Sequence, residues 1–357
     1  MSVKRIEAVR QLAKKENLDG FIVTDLKQIR YLTGFSGSSA LLVIAPRKAL
    51  FFTDFRYKEQ SAKQVKGAKV HIAKGPAINA LKDFPEIGGK NARIGYYAPA
   101  TTVEVLKQFE KSLPDCLWIA ADSVVAELGW VKEKDELDNI RKAIEISDVA
   151  FERILNLIAP GIRERELAAE LEYQMMMLGS EKPSFDSIVA SGWRSALPHG
   201  IATDKKVKKG EFITFDFGAT VNGYVSDITR TVVIGKATDR QKKIYNIVAR
   251  AQRAAIARMK PGVIAKTVDA AARNYITRAG YGKYFGHGLG HGIGLEVHSG
   301  PRLGPPSEDK LKVNNVITVE PGIYIPRWGG VRIEDDILVT RSGRKVLNRA
   351  PRNLLEL

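Results

Sequence analysis

The sequence predicts an α/β domain followed by an α+β domain built on a curved antiparallel sheet with covering helices. Its 357 residues exceed the range of about 100 to 200 that is usual for one domain. Helical and strand patterns alternate over the first 120 residues, and a long charged amphipathic run begins near Val131. We therefore place the boundary near residues 121–131 and assign residues 1–125 and 126–357 to the two domains.

Amphipathic segments and short apolar runs alternate in the first domain. Helices are predicted near residues 3–17, 78–84 and 101–112, and a further amphipathic stretch lies at 56–66. The apolar runs predict six strands with the sequences FIVT, ALLVI, LFFTD, KVHIA, RIGYYA and LWIAA. This order is typical of an α/β layer domain.

A long helix, KEKDELDNIRKAIEISDVAFERILNLI, is predicted to open the second domain, which then contains an internal repeat at an offset of 101 residues. In each half, two helices precede strand-rich sequence, which indicates pseudo-twofold symmetry. The aligned positions are Pro160-Gly161 with Pro261-Gly262, Leu167 with Val268, and Gly179 with Gly280.

Composition favours a cytoplasmic protein without a membrane partner. The N-terminus lacks the apolar core of a secretion signal, and no stretch approaches about 18 apolar residues. Cys116 is the only cysteine, so it cannot form an intramolecular disulfide or a cysteine-based zinc site. The net charge of +16 would suit a protein that binds nucleic acid, but we interpret the basic excess as scattered, and the run at 205–209 lacks aromatic residues. We expect no specific nucleic-acid partner.

The segment EFITFDFGATVNGYVSDITRT predicts two neighbouring strands that each carry an aspartate. Alternation puts the apolar residues of the first strand on one face and Asp216 on the other. Asn222-Gly223 is a hairpin signal that returns Asp227 within reach of Asp216. With no basic residue between them, two converging carboxylates call for a cation.

Three of the five histidines, His287, His291 and His298, are interspersed with glycines in YFGHGLGHGIGLEVHSGP. Glycine permits close backbone approach, so this segment is expected to form the wall of a site. An HxxxH pair on a helix could bind zinc, but the glycines disfavour a helix. We therefore expect one of these histidines to bind metal.

Two more carboxylates are predicted at strand ends, facing away from the apolar layer. Glu320 ends a strand before Pro321-Gly322, and Glu334 shares a strand face with Arg332. Four carboxylates and one histidine form an oxygen-rich ligand set that favours Mn²⁺, Co²⁺, Fe²⁺ or Zn²⁺. Their combined charge suits two ions, which together would activate a bridging water and polarise a carbonyl.

The chain resembles the prolidase and aminopeptidase P branch of the pita-bread metallopeptidases (peptidase family M24) from end to end. The N-terminal sequences IRYLTGFSGSSALLVI and FFTDFRY resemble the creatinase-like domain of that family. The motifs of the second domain are SGWRSALPHG (191–200), DFGATVNGYVSDITRT (216–231), GHGLGHGIGLEVH (286–298), VEPGIY (319–324) and GVRIEDD (330–336).

The resemblance implies two divalent metal ions, with Mn²⁺ expected ahead of Co²⁺ or Zn²⁺. It assigns Asp216 and Asp227 to one metal, His291 to the other, Glu334 as a bridge, and Glu320 as a ligand and general base. It also places His199, His287 and His298 around the substrate, where they stabilise an oxyanion or hold the proline-side residue, with Arg332 as the site arginine.

The implied reaction is hydrolysis of the bond between an N-terminal residue and a following proline by a metal-bridged hydroxide. We favour an aminopeptidase P type enzyme that acts on peptides, with Xaa-Pro dipeptidase (prolidase) as the alternative. A methionine aminopeptidase-like enzyme and a non-enzymatic pita-bread binding protein are less favoured, because the former normally lacks an N-terminal domain of this kind and the latter usually loses ligands. The resemblance further implies a homodimer.

Overall fold

In the computed structural model, which describes residues 2–84 and 87–357, the chain divides into one unit that ends at Leu128 and a second that comprises Gly129–Leu357. The first unit contains a six-stranded mixed sheet in the order β4-β3-β2-β1-β5-β6. Its strands are β1 (Gly20–Val23), β2 (Leu41–Ile44), β3 (Ala49–Asp54), β4 (Lys69–Ala73), β5 (Arg93–Tyr96) and β6 (Leu117–Ala120). All six predicted strands are therefore confirmed.

Both faces of this sheet are buried, because alternate residues of one strand enter different cores. Phe51 packs in the cluster that includes helix residue Ile6, whereas Phe52 packs with Leu81 and Phe109 on the other side. Burial on both faces explains why β1, β2 and β3 have nearly uninterrupted apolar sequences, whereas the edge strands β4 and β6 are partly exposed. The helices of this unit are α1 (Ser2–Lys15), α2 (Leu26–Thr33), α3 (Lys58–Gln64) and α4 (Val103–Ser112).

The sequence analysis missed α2 and predicted a helix near 78–84 that is in fact a 3-10 helix, Ala77–Asp83. The α2 helix has only eight residues, too few for a clear periodic pattern. Its ends do carry signals, because Asp25 accepts a hydrogen bond from the amide of Gln28 and Gly34 adopts a φ of 86° at the C-cap.

The second unit opens with the predicted long helix and then repeats a helix-pair-plus-strands arrangement. Both halves turn at a glycine with positive φ between their helices, at Gly161 and Gly262, and again after the second helix, at Gly179 and Gly280. The first half contains α5 (Lys134–Leu155), α6 (Glu164–Met177), β7 (Ile188–Ser191), β8 (Phe212–Phe217), β9 (Thr220–Val221), β10 (Tyr224–Val225) and β11 (Ile228–Val233).

The second half has the same order of helices and strands. It contains α7 (Asp239–Arg258), α8 (Ala265–Arg278), β12 (Gly290–Gly292), β13 (Ser299–Leu303), β14 (Val316–Val319), β15 (Gly322–Ile325), β16 (Gly329–Arg332), β17 (Asp335–Thr340) and β18 (Gly343–Val346). Within residues 2–84 and 87–357, no helix has both the length and the apolar character that crossing a lipid bilayer requires.

The strands of this unit pair antiparallel, as predicted, but their hydrogen bonds form several sheets. The main ones are β11-β8-β7 in the first half and β13-β12-β14-β17-β18 in the second, beside the ribbons β10-β9 and β15-β16. Strand β14 ends before Glu320-Pro321, where proline has no amide hydrogen for the ladder. The amide of Glu334 donates to Thr229 O at 3.1 Å and links the two halves.

Candidate metal centre

One cavity of about 950 Å³ in the second unit is lined by all nine residues that the sequence analysis selected. These residues come from both halves of the repeat, so the cavity lies where the two halves meet. They are His199, Asp216, Asp227, His287, His291, His298, Glu320, Arg332 and Glu334.

Asp216 and Asp227 are positioned by the predicted hairpin. Asp216 lies on β8, opposite Thr229 of β11, and Asn222-Gly223 turns the chain with φ angles of 49° and 78°. Asp227 immediately precedes β11 rather than lying within it. The amide of Asp227 donates to Asp336 Oδ2 at 3.2 Å, which fixes the backbone at this position.

Glu320 and Glu334 occupy breaks in the strands, where a side chain can turn inward while its neighbours stay in the core. Glu320 follows the last residue of β14, and Glu334 lies between β16 and β17. Thr229 Oγ1 donates to Glu334 Oε2 at 2.6 Å and orients that carboxylate.

His291 lies in the middle of the three-residue strand β12, between Gly290 and Gly292. A Cβ on Gly290 would lie 2.0 Å from Thr318 O, and one on Gly292 would lie 2.0 Å from Gly300 O. The glycines thus allow β12 to lie between its two neighbouring strands. The expectation of a non-helical site wall is confirmed.

Asp227, His291 and Glu334 converge most closely, with one potential ligand atom from each lying within 4.8 Å of the others. His291 Nε2 is also 3.6 Å from Glu320 Oε1. Asp216 is oriented differently, because Arg332 Nη2 donates to Asp216 Oδ2 at 2.5 Å. Arg332, which the family resemblance implies as the site arginine, thus contacts the acidic cluster through Asp216.

Burial and mutual repulsion disfavour negative charge on this cluster. Burial, followed by repulsion from Asp216, raises the pKa of Glu334 to about 8. Burial and the charge of Glu334 also raise the pKa values of Asp227 and Glu320 well above their ordinary values. Burial lowers the pKa of His291 to about 4, so its imidazole is neutral at pH 7 and can offer a lone pair.

The donor chemistry of this cluster fits divalent cations. Asp216 Oδ1 is buried without a hydrogen-bond partner, and among the residues described the one Lys or Arg side chain that pairs with any of the four carboxylates is Arg332, which binds Asp216. A divalent ion would satisfy the unpaired oxygen and offset the repulsion that raises the carboxyl pKa values. The oxygen and imidazole ligands suit Mn²⁺, Co²⁺ or Zn²⁺.

His287 is connected to Arg332 through Tyr324, a residue that the sequence analysis did not select. Tyr324 Oη lies 2.9 Å from His287 Nε2 and 2.9 Å from Arg332 Nη1. Because Gly288 O, 2.7 Å from His287 Nδ1, can only accept, Nδ1 carries the proton and Nε2 accepts from Tyr324. Burial lowers the pKa of His287 to about 4, which is consistent with this neutral tautomer. Both ring nitrogens are therefore engaged, which leaves His287 no free donor for an oxyanion.

Asp335 and Asp336, which follow Glu334, do not line the cavity but bind residues around it. Asp335 is fully buried and binds Arg230 at 2.8 Å and Arg352 at 2.7 Å, and Asp336 accepts the amide hydrogen of Asp227. The sequence does contain a signal for Asp335 and Asp336, because three consecutive acids stand between apolar strand residues. A strand buried in this way does not expose three successive side chains to solvent, so these acids need partners inside the protein.

Comparison with known proteins agrees with this geometry. The model of metallopeptidase family M24 matches residues 138–341, and that of the creatinase/prolidase N-terminal domain matches residues 5–128. The structure is similar to that of an Xaa-Pro dipeptidase from Bacillus anthracis, with 41% identity, 100% of both chains covered and a TM-score of 0.96.

Two further relatives represent the two types of enzyme expected from the sequence, a dipeptidase and an aminopeptidase. An Xaa-Pro dipeptidase of Pyrococcus furiosus is 40% identical over 99% of both proteins. An X-Pro aminopeptidase from Thermotoga maritima is 38% identical over 99% of both chains, with a TM-score of 0.90. With the family model covering more than half of its length, the chain belongs to metallopeptidase family M24 and combines a pita-bread catalytic domain with a creatinase-type N-terminal domain.

Proposed function

We propose that this metallopeptidase is an Xaa-Pro dipeptidase, which cleaves dipeptides with proline at the second position. The dipeptidases of Bacillus anthracis and Pyrococcus furiosus support this alternative more than the aminopeptidase P type that the sequence analysis favoured. The aminopeptidase from Thermotoga maritima is nearly as similar, so the choice needs a feature of the cavity itself.

Arg302 is the observation that carries the proposal. It lies on β13 and lines the cavity, and its amide donates to Asp309 Oδ2 at 3.0 Å, whereas its exposed guanidinium has no carboxylate partner among the residues described. Arg332, the other arginine of the cavity, is already engaged by Asp216 and Tyr324. In an Xaa-Pro dipeptide, a free carboxylate lies on the proline itself, and a guanidinium is the side chain best suited to bind it. A longer peptide has an amide at this position and would lose that ion pair.

The metal ligands in this proposal are Asp216, Asp227, His291, Glu320 and Glu334. They would hold two divalent ions, of which Mn²⁺ is our first expectation. Bound there, the ions supply Lewis acidity, which activates water and polarises the scissile carbonyl. The tight group of Asp227, His291 and Glu334 supports the assignment, and Asp216 would have to share its carboxylate between a metal and Arg332.

Glu320 is suited to proton transfer by its position, because it lines the cavity and its Oε1 lies 3.6 Å from His291 Nε2, beside the proposed metal ligands. In the proposed reaction, its carboxylate takes a proton from the attacking water and returns it to the proline nitrogen. That transfer is needed because the nitrogen of a tertiary amide bears no hydrogen and must leave as an amine.

His199 and His298 are exposed residues of the cavity and can present ring nitrogens to the substrate. We assign oxyanion stabilisation to these two, and give His287 a positioning role through Tyr324. The homodimer and the cytoplasmic location remain predictions from sequence.

The proposal is tested by removing metals with a chelator, restoring Mn²⁺, Co²⁺ or Zn²⁺ separately, and comparing an Xaa-Pro dipeptide with its C-terminal amide and an Xaa-Pro-Xaa tripeptide. We expect the dipeptide to have the highest kcat/KM. Equal rates for all three would contradict dipeptidase specificity, and no activity with any metal would refute the peptidase assignment.

A further inference from the structure

The positive charge of the second unit is concentrated in one helix pair. Residues 239–283, which include α7 and α8, contain eleven Lys and Arg against two acids, a net charge of +9 out of +16 for the whole chain. The sequence analysis interpreted the basic excess as scattered, and this was wrong for the second unit. The proposed peptidase reaction does not use any of these basic residues.

A groove with a volume of about 720 Å³ runs between α7 and α8. Ala254, Ala270 and Ala271 line it, and such small side chains let a ligand approach the helices closely. The polar residues around these alanines are Arg258, Lys266, Thr267, Asp269, Arg273, Asn274 and Arg278. Four cations and one carboxylate thus surround a concave site.

Two of the four cations have partners and two do not. Arg273 binds both oxygens of Asp269, at 2.7 and 2.8 Å, and Lys266 pairs with Glu308. Arg258 and Arg278 are exposed and have no ion pair or side-chain hydrogen bond among the residues described. Each guanidinium can therefore donate two parallel hydrogen bonds to an anion.

We propose that this groove binds a small ligand with two or more linked phosphate groups, held by Arg258 and Arg278. Linked phosphates match two separate guanidinium groups better than a single carboxylate does, because each arginine can take its own phosphate. The concave form and limited volume favour a small molecule over a nucleic-acid strand. No aromatic residue among those described lines the groove, so it lacks the stacking surface of single-strand binding sites.

The groove also adjoins the catalytic cavity. Pro305 lines both, and Glu308, the partner of Lys266, lines the catalytic cavity. A ligand in the groove would therefore contact the segment that forms one wall of the metal centre.

The test is calorimetric titration of the full chain with tripolyphosphate at fixed ionic strength, a measurement that does not depend on peptidase activity. We expect one site per chain, and a loss of about tenfold in affinity for each guanidinium removed in the double variant Arg258→Gln, Arg278→Gln. The matched control is Arg250→Gln, Arg253→Gln, which removes the same charge from exposed positions of α7 outside the groove. The control should bind within about twofold of the parent chain.

Three outcomes would overturn the proposal. One is the absence of heat or saturation with tripolyphosphate, and another is an equal loss of affinity in the two double variants, which would indicate diffuse attraction to a basic surface. The third is tighter binding of a single-stranded RNA oligonucleotide that is weakened equally by both variants. The far-UV circular dichroism and melting temperature of both variants establish that each is folded.

Discussion

Arg332 Nη1 donates a 2.9 Å hydrogen bond to Tyr324 Oη, and the same hydroxyl donates to His287 Nε2 at 2.9 Å. The three side chains form a hydrogen-bonded chain along one wall of the cavity, with Arg332 and Tyr324 buried and His287 half-buried. Arg332 at one end also holds Asp216. Tyr324 therefore couples the orientation of a proposed metal ligand to that of a histidine that lines the cavity.

Replacing Tyr324 with Phe removes both hydrogen bonds without removing the ring. We expect kcat for an Xaa-Pro dipeptide to fall roughly tenfold or more, because Arg332 and His287 lose their shared partner. The matched control is Tyr245→Phe, which removes a buried hydroxyl that bonds Arg352 O outside the cavity. Each variant should lose about 1 kcal/mol of unfolding free energy, and a similar fall in kcat for both would show that the effect is structural.

Asp227→Asn should have opposite effects on the stability of the metal-free chain and on metal binding. In the metal-free chain, Asp227 is buried beside other carboxylates, so neutralising it should raise the unfolding free energy by on the order of 2 kcal/mol. We expect Mn²⁺ to raise the melting temperature of the parent chain, and the same change should abolish that rise.

The control variant should have the opposite effect on the unfolding free energy. Asp269 is not a proposed metal ligand, and Asp269→Asn breaks the ion pair between its buried carboxylate and Arg273 and weakens the hydrogen bond that it accepts from the amide of Leu289, so it should lower the stability of the metal-free chain. If Asp227→Asn also lowered that stability, the repulsion inferred for the cluster would be wrong.

Arg302→Gln should convert a dipeptide-selective enzyme into a less selective one. We expect KM for an Xaa-Pro dipeptide to rise roughly tenfold to a hundredfold with little change in kcat, because the lost ion pair holds the substrate in the ground and transition states alike. KM for the dipeptide amide should stay nearly constant. Arg344→Gln, at an exposed position of β18, is the control and should alter neither value.

Two local features of the sequence predicted most of the site residues: the alternation of apolar and polar residues along strands, and the residue types of turns. Asp216, Glu320 and Glu334 break an apolar pattern at strand ends, and the turn at Asn222-Gly223 returns Asp227 to them. These are local signals, and the structure brings the residues into one cavity as the signals suggest.

Contacts between distant segments could not be predicted in this way. Tyr324 and Arg332 meet across the β15-β16 ribbon, and only their pairing in space reveals the link to His287. The basic groove was missed for a related reason: Arg258 and Arg278 lie on different helices and face one groove only when α7 packs on α8. The family motifs lie on the catalytic side and carry no information about that surface.

Because Lys132 is buried, we expect the unfolding free energy of the protein to depend on pH. It is 1% exposed, and burial lowers its pKa from 10.5 to about 8, with the charge of Glu136 acting in the opposite direction. Between pH 8 and 10.5 the unfolded chain binds more protons than the folded chain, so the unfolding free energy should rise over this range.

The rise should reach about 2 to 3 kcal/mol and be measurable by urea unfolding across these pH values. Lys132→Met should remove most of the slope. Lys134→Met, which removes an exposed ammonium group two residues away, should retain the slope. An unchanged slope in Lys132→Met would mean that Lys132 keeps its proton in the folded chain.

Gly290 should be intolerant of any side chain, because His291 depends on the close approach of β12 to β14. A Cβ on Gly290 would lie 2.0 Å from the carbonyl oxygen of Thr318, a backbone atom that cannot move aside without shifting the strand. We expect Gly290→Ala to cost about 3 kcal/mol or more of unfolding free energy and to weaken Mn²⁺ binding in a calorimetric titration. The control Gly286→Ala lies in the same glycine-rich segment but meets no heavy atom within 4 Å, so it should leave both quantities nearly unchanged. Equal losses in the two variants would mean that the segment needs glycine for flexibility, whereas a loss confined to Gly290→Ala would tie the position of His291 to the spacing of the strands.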